Sequence, residues 1–336
     1  MRNLLFTISL LLAATTVAHA QDPVFSQFYA SPMRLNPGLA GVGGAPRITL
    51  NYRSQHTSYP SAFVTMAASY EQPVGRTPSS FGLRLMSDRQ LEGAYRNTEL
   101  GLIYNYDIQF TKQLHARIGL VAGFLNTSLD FNRLTFGDVL DPVNGREGVT
   151  QEQLEAASRI SPDLGAGVIL YGGPFYGGIS FEHLNRPAEN LFELNEQLYS
   201  GRPQRFTATG GAQINLKRYT NRKRPAYVTP NFLYVGQAKL RQLVLGAQAG
   251  YGPLSLGGYF RHAFENADAF IATVGFRQDA LRVGFSYDAV LSDLRNVPGG
   301  LGATFEMSLV IDLAQSSALN RRRARERQTE CFDVFR

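Results

Sequence analysis

Residues that commonly carry chemistry are few and widely spaced in this sequence. Four histidines, His56, His115, His183 and His262, lie beyond the first twenty residues, and none stands in an HExxH or HxxxH metal-ligand spacing. Cys331 is the only cysteine, so neither an internal disulfide nor a paired-cysteine metal site can form. We therefore predict no metal site.

The motifs of common enzyme folds are not found either. The chain contains no GxSxG nucleophile turn, no Walker A loop and no dinucleotide fingerprint after a predicted strand. The glycine-rich run at 41–44 precedes the first predicted strand, and a flexible lead into that strand explains it better than phosphate binding. A Ser/His/Asp triad needs no closeness in sequence, so a barrel enzyme stays an alternative. We predict no catalytic residue and no cofactor.

Composition favours a β-rich membrane protein over a soluble enzyme. Charged residues make up 18% of the chain, against about 25% in typical soluble domains. The 33 glycines, 16 tyrosines and 22 phenylalanines suit a barrel wall with aromatic belts. Two basic runs, Lys217–Arg224 and Arg321–Arg327, supply much of the net charge of +6. Solvated loop and tail charge explains these runs better than nucleic-acid binding in a protein that is predicted to leave the cytoplasm.

Residues 1–20 have the pattern of a cleaved secretory signal peptide. Arg2 is the positive start, Leu4–Leu12 the short apolar stretch and the A-x-A motif at 18–20 the cleavage site, so Gln21 is the predicted mature N-terminus. No later stretch approaches about 18 apolar residues, the length that a membrane-spanning helix needs. A mature chain that spans a membrane must then do so as a closed β-barrel.

Apolar and polar residues alternate over long segments, and this pattern is the main indication of the fold. The alternation is regular from Glu99 to Phe110 and recurs at 114–124, 205–217 and 304–313. Such segments run to about 9–12 residues, the span of a tilted strand through a bilayer, whereas soluble strands average about 5–6. We count about fourteen of them, an even number that suits a single-chain bacterial barrel. They begin near Arg47, Ala62, Ser80, Thr98, Leu114, Pro162, Pro174, Arg205, Tyr227, Arg241, Pro253, Ala269, Leu281 and Gly302.

We accordingly predict an all-β fold, a transmembrane antiparallel β-barrel of about 14 strands with periplasmic termini. The predicted divisions are a signal peptide at 1–20, a periplasmic segment leading into the barrel at 21–46, the outer-membrane barrel at 47–313 and a basic periplasmic tail at 314–336. Short and long connections alternate along most of the chain, which fits periplasmic turns and extracellular loops. The long basic connection at 218–225, on the short side, is the main exception.

The predicted lumen face carries charges of both signs. They could line a pore, or they could form internal ion pairs that stiffen a narrow or plugged barrel, and we favour the ion pairs because mixed charge gives no clear selectivity. The residues are Arg84, Glu99, Asp107, Arg117, Arg205, Arg261, Arg277, Arg282 and Glu306.

The opening of the predicted mature chain, QDPVFSQFYASPMRLNPGLAG at 21–41, resembles the start of the PorP/SprF family of outer-membrane proteins. The segment 51–55 is similar to the family's N-Y-R-x-Q-W block, with His56 where tryptophan is common, and 286–288 and 305–309 resemble its closing S-Y-D and E-x-S-L patterns. The basic tail departs from the usual C-P-x-F ending. The motif residues are Phe25, Ser26, Gln27, Asn36, Pro37, Gly41, Asn51, Tyr52, Arg53, Asp88 and Arg89.

The resemblance implies an outer-membrane barrel of the type IX secretion and gliding machinery that assists the export or surface attachment of a large secreted adhesin. The expected partners are type IX secretion components, that adhesin and membrane lipid, with no nucleic acid. We further hypothesise that a periplasmic, peptidoglycan-linked protein docks on the tail residues Arg321, Arg322, Arg323, Arg325 and Arg327. A general outer-membrane porin or hydrophobic-solute channel is the alternative.

Overall fold

The computed structural model describes residues 21–58, 63–75, 77–134, 136, 140–141, 145–146, 157–191, 201–216, 226–264, 269–291 and 302–313. The predicted signal peptide, the basic run at 217–224 and the basic tail at 314–336 lie outside these residues. Predictions about those three segments therefore stay predictions. No helix among the described residues is long and apolar enough to cross a membrane.

Fourteen long antiparallel strands form one closed sheet, which confirms the predicted barrel and its strand count. The sheet closes because the first strand pairs with the last, Arg47 opposite Asp312. The strands are β1 Arg47–Gln55, β2 Phe63–Pro73, β3 Ser79–Gln90, β4 Tyr95–Gln109, β5 Leu114–Leu129, β6 Ala157–Gly172, β7 Phe175–Glu182, β8 Arg205–Ala212, β9 Ala226–Gln237, β10 Leu240–Tyr251, β11 Leu254–Ala263, β12 Ala269–Gln278, β13 Leu281–Val290 and β14 Thr304–Asp312.

Two minor pairings accompany the barrel. Ile214–Asn215 continues β8 and pairs with β9, and Leu140–Asp141 pairs with Gly145–Arg146 in the connection between β5 and β6. β6 begins at Ala157 and not at the predicted Pro162, because it goes on pairing with β5 beyond the part of the strand that alternates clearly.

Alternation gives the barrel two different faces. Leu100, Leu102 and Tyr104 of β4 point outward and are 41–64% exposed, whereas Glu99 and Asn105 point inward and are buried. An outward apolar face of this kind is stable against lipid hydrocarbon and is unfavourable in water. The wall is therefore built to face a bilayer.

The two ends of the barrel differ. We call the end where β1 begins and β14 ends the turn end; Gly173–Pro174 and Gly252–Pro253 make tight turns there, and Gly252 adopts a φ of +61° that favours glycine. We call the opposite end the loop end; it carries the long connection at 183–204 between β7 and β8.

The barrel interior is occupied by residues 21–46, which we call the plug. The plug contains short 3-10 turns at Phe28–Ala30 and Pro37–Leu39 and a single helical turn, α1, at Pro32–Leu35. Pro32 and Pro37 suit the first position of these turns, and the side chain of Asn36 accepts a hydrogen bond from the amide of Gly38. The sequence predicts a periplasmic segment that leads into the barrel; residues 21–46 do lead into β1, and they lie inside the barrel.

Candidate functional site

The plug crosses the barrel from one end to the other. The amide of Asp22 donates to Gln237 Oε1 at the loop end (2.9 Å), and the amide of Gly41 donates to Glu71 Oε2 near the turn end (2.7 Å). Gln21 therefore lies at the end opposite Leu313. The predicted placement of both termini at one end holds for the first and last strands but not for the start of the described chain.

A cluster of buried charges holds the start of the plug at the loop end. Asp22 is contacted by Arg202 Nη2 at 2.5 Å, by His183 Nε2 at 2.8 Å and by Arg34 Nη2 at 3.4 Å. Arg34 also forms a bidentate ion pair with Glu99 of β4, in which Nη1 and Nη2 each donate to one carboxylate oxygen. We call this the loop-end cluster; its acidic members are Asp22, Glu99, Asp163, Glu182 and Glu189, and its basic members are Arg34, Arg84, Arg202, Arg205 and His183.

The charge states in this cluster follow from its geometry. Burial by itself raises the pKa of Asp22, but Arg202, His183 and Arg34 beside it hold that pKa well below its usual value. Burial by itself lowers the pKa of His183, but Asp22 and Asp163 raise it to about 10. His183 is therefore a cation at neutral pH, and it donates from Nδ1 to Asp163 and from Nε2 to Asp22. With His183 charged, five basic members lie beside five acidic ones.

Three members of the loop-end cluster are of types that bind metal ions. One ligand atom each of Asp22, Glu99 and His183 lies within 4.8 Å of the others. However, Arg34 pairs with both carboxylates, and His183 uses both ring nitrogens on aspartates. A divalent cation would have to displace these partners, so the donor set fits an ion-pair network better than a metal site.

A second polar cluster holds plug residues 26 and 27 and joins the sequence motifs. Glu306 of β14 accepts hydrogen bonds from the amides of Ser26 and Gln27 and also pairs with Arg53 of β1. The Ser26 hydroxyl donates to Asp288 at 2.5 Å. Four motif blocks that are far apart in sequence, from the chain start, β1, β13 and β14, thus meet at one place, which we call the Ser26 cluster.

The later plug motif contacts the opposite wall. The side-chain amide of Asn36 donates to the carbonyls of Val168 and Ile179 at 3.2 and 2.8 Å. Pro37 lies so close to β5 that a Cβ on Gly119 would be 2.2 Å from its carbonyl carbon. Only glycine at this position leaves room for the plug backbone.

Some of the predicted motif residues take part in holding the plug, and others do not. Phe25 is buried, and the Asn51 side chain donates to the carbonyl of Ala30 at 3.5 Å. Tyr52 instead points outward and is 40% exposed, and Asp88 bonds to Thr65 of the neighbouring strand at 2.6 Å. No plug contact joins the described side chains of Asp88 or Arg89. The five tail arginines lie outside the described residues.

Sequence reasoning missed several members of the clusters. Arg34 lies in the motif segment 21–41 but is not among its motif residues, and nothing in the sequence around His183 indicates an ion pair. The predicted lumen charges Arg84, Glu99 and Glu306 were found, and the expectation that such charges form ion pairs is confirmed at all three. The predicted lumen charges include more arginines than carboxylates. This imbalance could have indicated that some of their ion-pair partners come from outside the barrel wall.

Apolar packing completes the filling of the lumen. Phe28, Leu35 and Leu39 of the plug pack in one buried cluster with inward side chains such as Ile169 and Leu233. In a water-filled channel these side chains would be exposed to solvent, which costs about 25 cal/mol for each Å² of apolar surface. This interior is a packed core.

These features define a membrane-type β-barrel whose lumen is filled by its own N-terminal segment. The chain matches the family model for the type IX secretion system membrane protein PorP/SprF over residues 17–311, and it belongs to that family. Family and fold together indicate an outer-membrane protein of the secretion system.

Other comparisons add little. No curated protein sequence matches the chain. Similar solved structures include the Ralstonia pickettii toluene transporter TbuX, with 11% identity, a TM-score of 0.45 and coverage of 85% of this chain and 94% of that one. The KdgM porin has 4% identity, a TM-score of 0.38 and coverage of 80% and 99%. We draw no functional argument from such low similarity.

Proposed function

We propose that this protein is a non-enzymatic barrel of the type IX secretion and gliding machinery that assists the export or surface attachment of a partner adhesin. Family membership supports the setting, and the observation that carries the proposal is the filled lumen. A barrel whose interior is packed with its own chain has its outer wall, rims and tail left for binding partners.

The same observation counts against the alternative. A general porin or hydrophobic-solute channel needs a continuous path through the lumen, and the plug would have to leave to open one. Leaving would break the buried Arg34–Glu99 pair and the Ser26 cluster together. Removing one partner of a buried ion pair costs about 3–5 kcal/mol, and departure of the plug would remove Arg34 from Glu99, so spontaneous opening would be rare.

We also propose an orientation in the membrane and a periplasmic partner. The signal peptide is removed after Ala20, the turn end faces the periplasm, and the tail arginines at 321–327 dock a periplasmic, peptidoglycan-linked protein. The charge of the tail supports that last step, because opposite charges steer association.

The test is a mild-detergent pull-down of the tagged full chain from its native outer membrane, with mass spectrometry of the captured proteins. We expect type IX secretion components or one large surface adhesin. Recovery of the barrel alone would contradict the proposal and would direct attention to the porin alternative.

The chain offers a matched control for the tail. The runs 217–224 and 321–327 each contain five basic residues. Changing the five tail arginines to glutamine should remove a periplasmic partner, whereas neutralising the other run should not. Equal capture by both variants would show that the tail does not dock that partner.

A further inference from the structure

The plug does not fill the lumen evenly. A cavity of about 100 Å³ lies near the turn end, between plug residues 27–32 and a wall formed by β1 and β9–β14. Arg277, which lines it, is exposed, so the cavity can be reached from solvent at that end. None of the plug contacts described above requires this space.

Basic side chains dominate the charge around the cavity. Arg47, Arg277 and Arg282 all line it. Two carboxylates lie near these arginines: Glu71 pairs with Arg47, and Asp312 lies 3.9 Å from Arg282. Three guanidinium groups thus face two acids.

Arg282 lacks an acceptor for part of its guanidinium group. Its Nε and Nη2 atoms are buried, and neither makes a hydrogen bond to any described residue. The separation of 3.9 Å from Asp312 is too long for a hydrogen bond. Burying a guanidinium donor without an acceptor is unfavourable, so the site favours a ligand that supplies one.

We propose that this cavity binds a small oxyanion, a phosphate or a carboxylate group, with Arg282 as the main contact. The planar fork of a guanidinium matches two oxygens of such a group. Ser255 lines the same cavity; its hydroxyl accepts a hydrogen bond from Gln248 and can donate one to the anion. The volume suits one phosphate-sized group, whereas whole drug-sized ligands occupy about 300–1,000 Å³. The anion can be free or can end a longer molecule that enters from the turn end.

The test is a titration of the purified full chain in detergent with inorganic phosphate or acetate, against chloride at matched ionic strength, followed by calorimetry. We expect saturable binding to the wild type. Arg282→Gln should raise the dissociation constant at least about tenfold, because it removes the charge-assisted hydrogen bonds that the guanidinium donates to the anion. The matched control is Arg241→Gln, an exposed arginine at the loop end, which should bind as the wild type does.

The outcomes separate clearly. Binding of phosphate but not acetate assigns the site to phosphate groups, and binding of acetate with the same dependence on Arg282 extends it to carboxylates. If Arg282→Gln fails to form a heat-modifiable barrel, the exposed Arg277→Gln serves as the second variant and should also weaken binding. Absence of saturable binding in the wild type, or equal binding in all variants, would overturn the proposal. Neither result depends on the secretion partners.

Discussion

At the scale of single residues, buried opposite charges determine how firmly the plug is held. The side chains of Arg34 and Glu99 are only 8% and 4% exposed, and together they link the plug to β4. We predict that Glu99→Gln lowers the free energy of unfolding by about 3–5 kcal/mol, because it removes the closest carboxylate from buried Arg34 and leaves only the longer contacts to Asp22 and Glu182. Denaturant unfolding of the purified barrel measures this.

A solvent-exposed pair supplies the control. Arg133 and Asp130 lie 3.2 Å apart, with side chains 54% and 41% exposed. Arg133→Gln should change the free energy of unfolding by no more than about 1 kcal/mol, since water screens such pairs. Equal losses in the two variants would show that burial of the Arg34–Glu99 pair has no special importance.

The loop-end cluster also predicts how stability depends on pH. The pKa of Asp22 is lowered in the folded protein, so its contribution is present above the usual value of 3.8 and is lost as pH falls. The pKa of His183 is raised from 6.5 to about 10, so its contribution is complete below pH 6.5 and is lost as pH rises through about 10. We predict that His183→Gln removes this alkaline loss from the unfolding midpoint measured against pH.

His262→Gln is the matched control for that experiment, because His262 lies on β11 outside the loop-end cluster. In this variant the unfolding midpoint should change with pH as it does in the wild type between pH 6.5 and 10, the range over which His183 loses its proton. If the unfolding midpoint of His183→Gln still falls with pH over this range, other groups cause the loss of stability at alkaline pH.

Residue types allowed part of the site to be predicted. Inward position follows from alternation, so charges such as Glu99 and Glu306 could be assigned to the lumen from sequence alone. Their partners could not be assigned, because an ion pair across a barrel depends on register and on the path of the plug. Arg34 and Glu99 are 65 positions apart, and Ser26 and Glu306 are 280 apart.

At the scale of elements, strands and plug must approach closely. A Cβ on Gly119 would lie 2.2 Å from the carbonyl carbon of Pro37 and 2.4 Å from the amide nitrogen of Gly38. We predict that Gly119→Ala displaces the plug and lowers the free energy of unfolding by about 1–3 kcal/mol, the usual effect of overpacking. Trypsin cleavage after Arg34, which is buried in the wild type, measures plug displacement directly.

Gly177→Ala is the matched control on another strand. The nearest atom to a Cβ there is the carbonyl oxygen of Thr209 at 3.8 Å, an ordinary contact. This variant should keep Arg34 protected from trypsin. Rapid cleavage in both variants, or in neither, would contradict the account of the close approach.

The strands were predictable and the plug was not. β1, β5, β8, β12 and β13 begin at the predicted residues, since period-two alternation is set by the neighbouring residues themselves. The plug has no such period; it folds as three short turns whose stability comes from contacts with the wall. From sequence alone, such a segment is indistinguishable from a flexible stretch that precedes the first strand.

At the scale of the whole molecule, the path of the plug determines at which end of the barrel Gln21 lies. Gln21 lies at the loop end with Lys239, whereas Lys112 lies in a turn at the opposite end. We predict that a short epitope placed ahead of Gln21, after the predicted cleavage site, reacts with antibody on intact cells together with an epitope at Lys239. An epitope at Lys112 should react only after the outer membrane is permeabilised. If the Gln21 epitope behaved like the one at Lys112, the path of the plug would be wrong.

The N-terminal segment fills the barrel lumen, and we propose that the protein therefore works through its partners and not as an open pore. Conductance of the purified protein in planar lipid bilayers tests this most directly. We predict no steady conductance for the wild type and stepwise conductance for a variant that lacks residues 22–40, with heat-modifiable migration as the check that its barrel has assembled. Steady open channels in the wild type, as large as those of the variant, would contradict the claim.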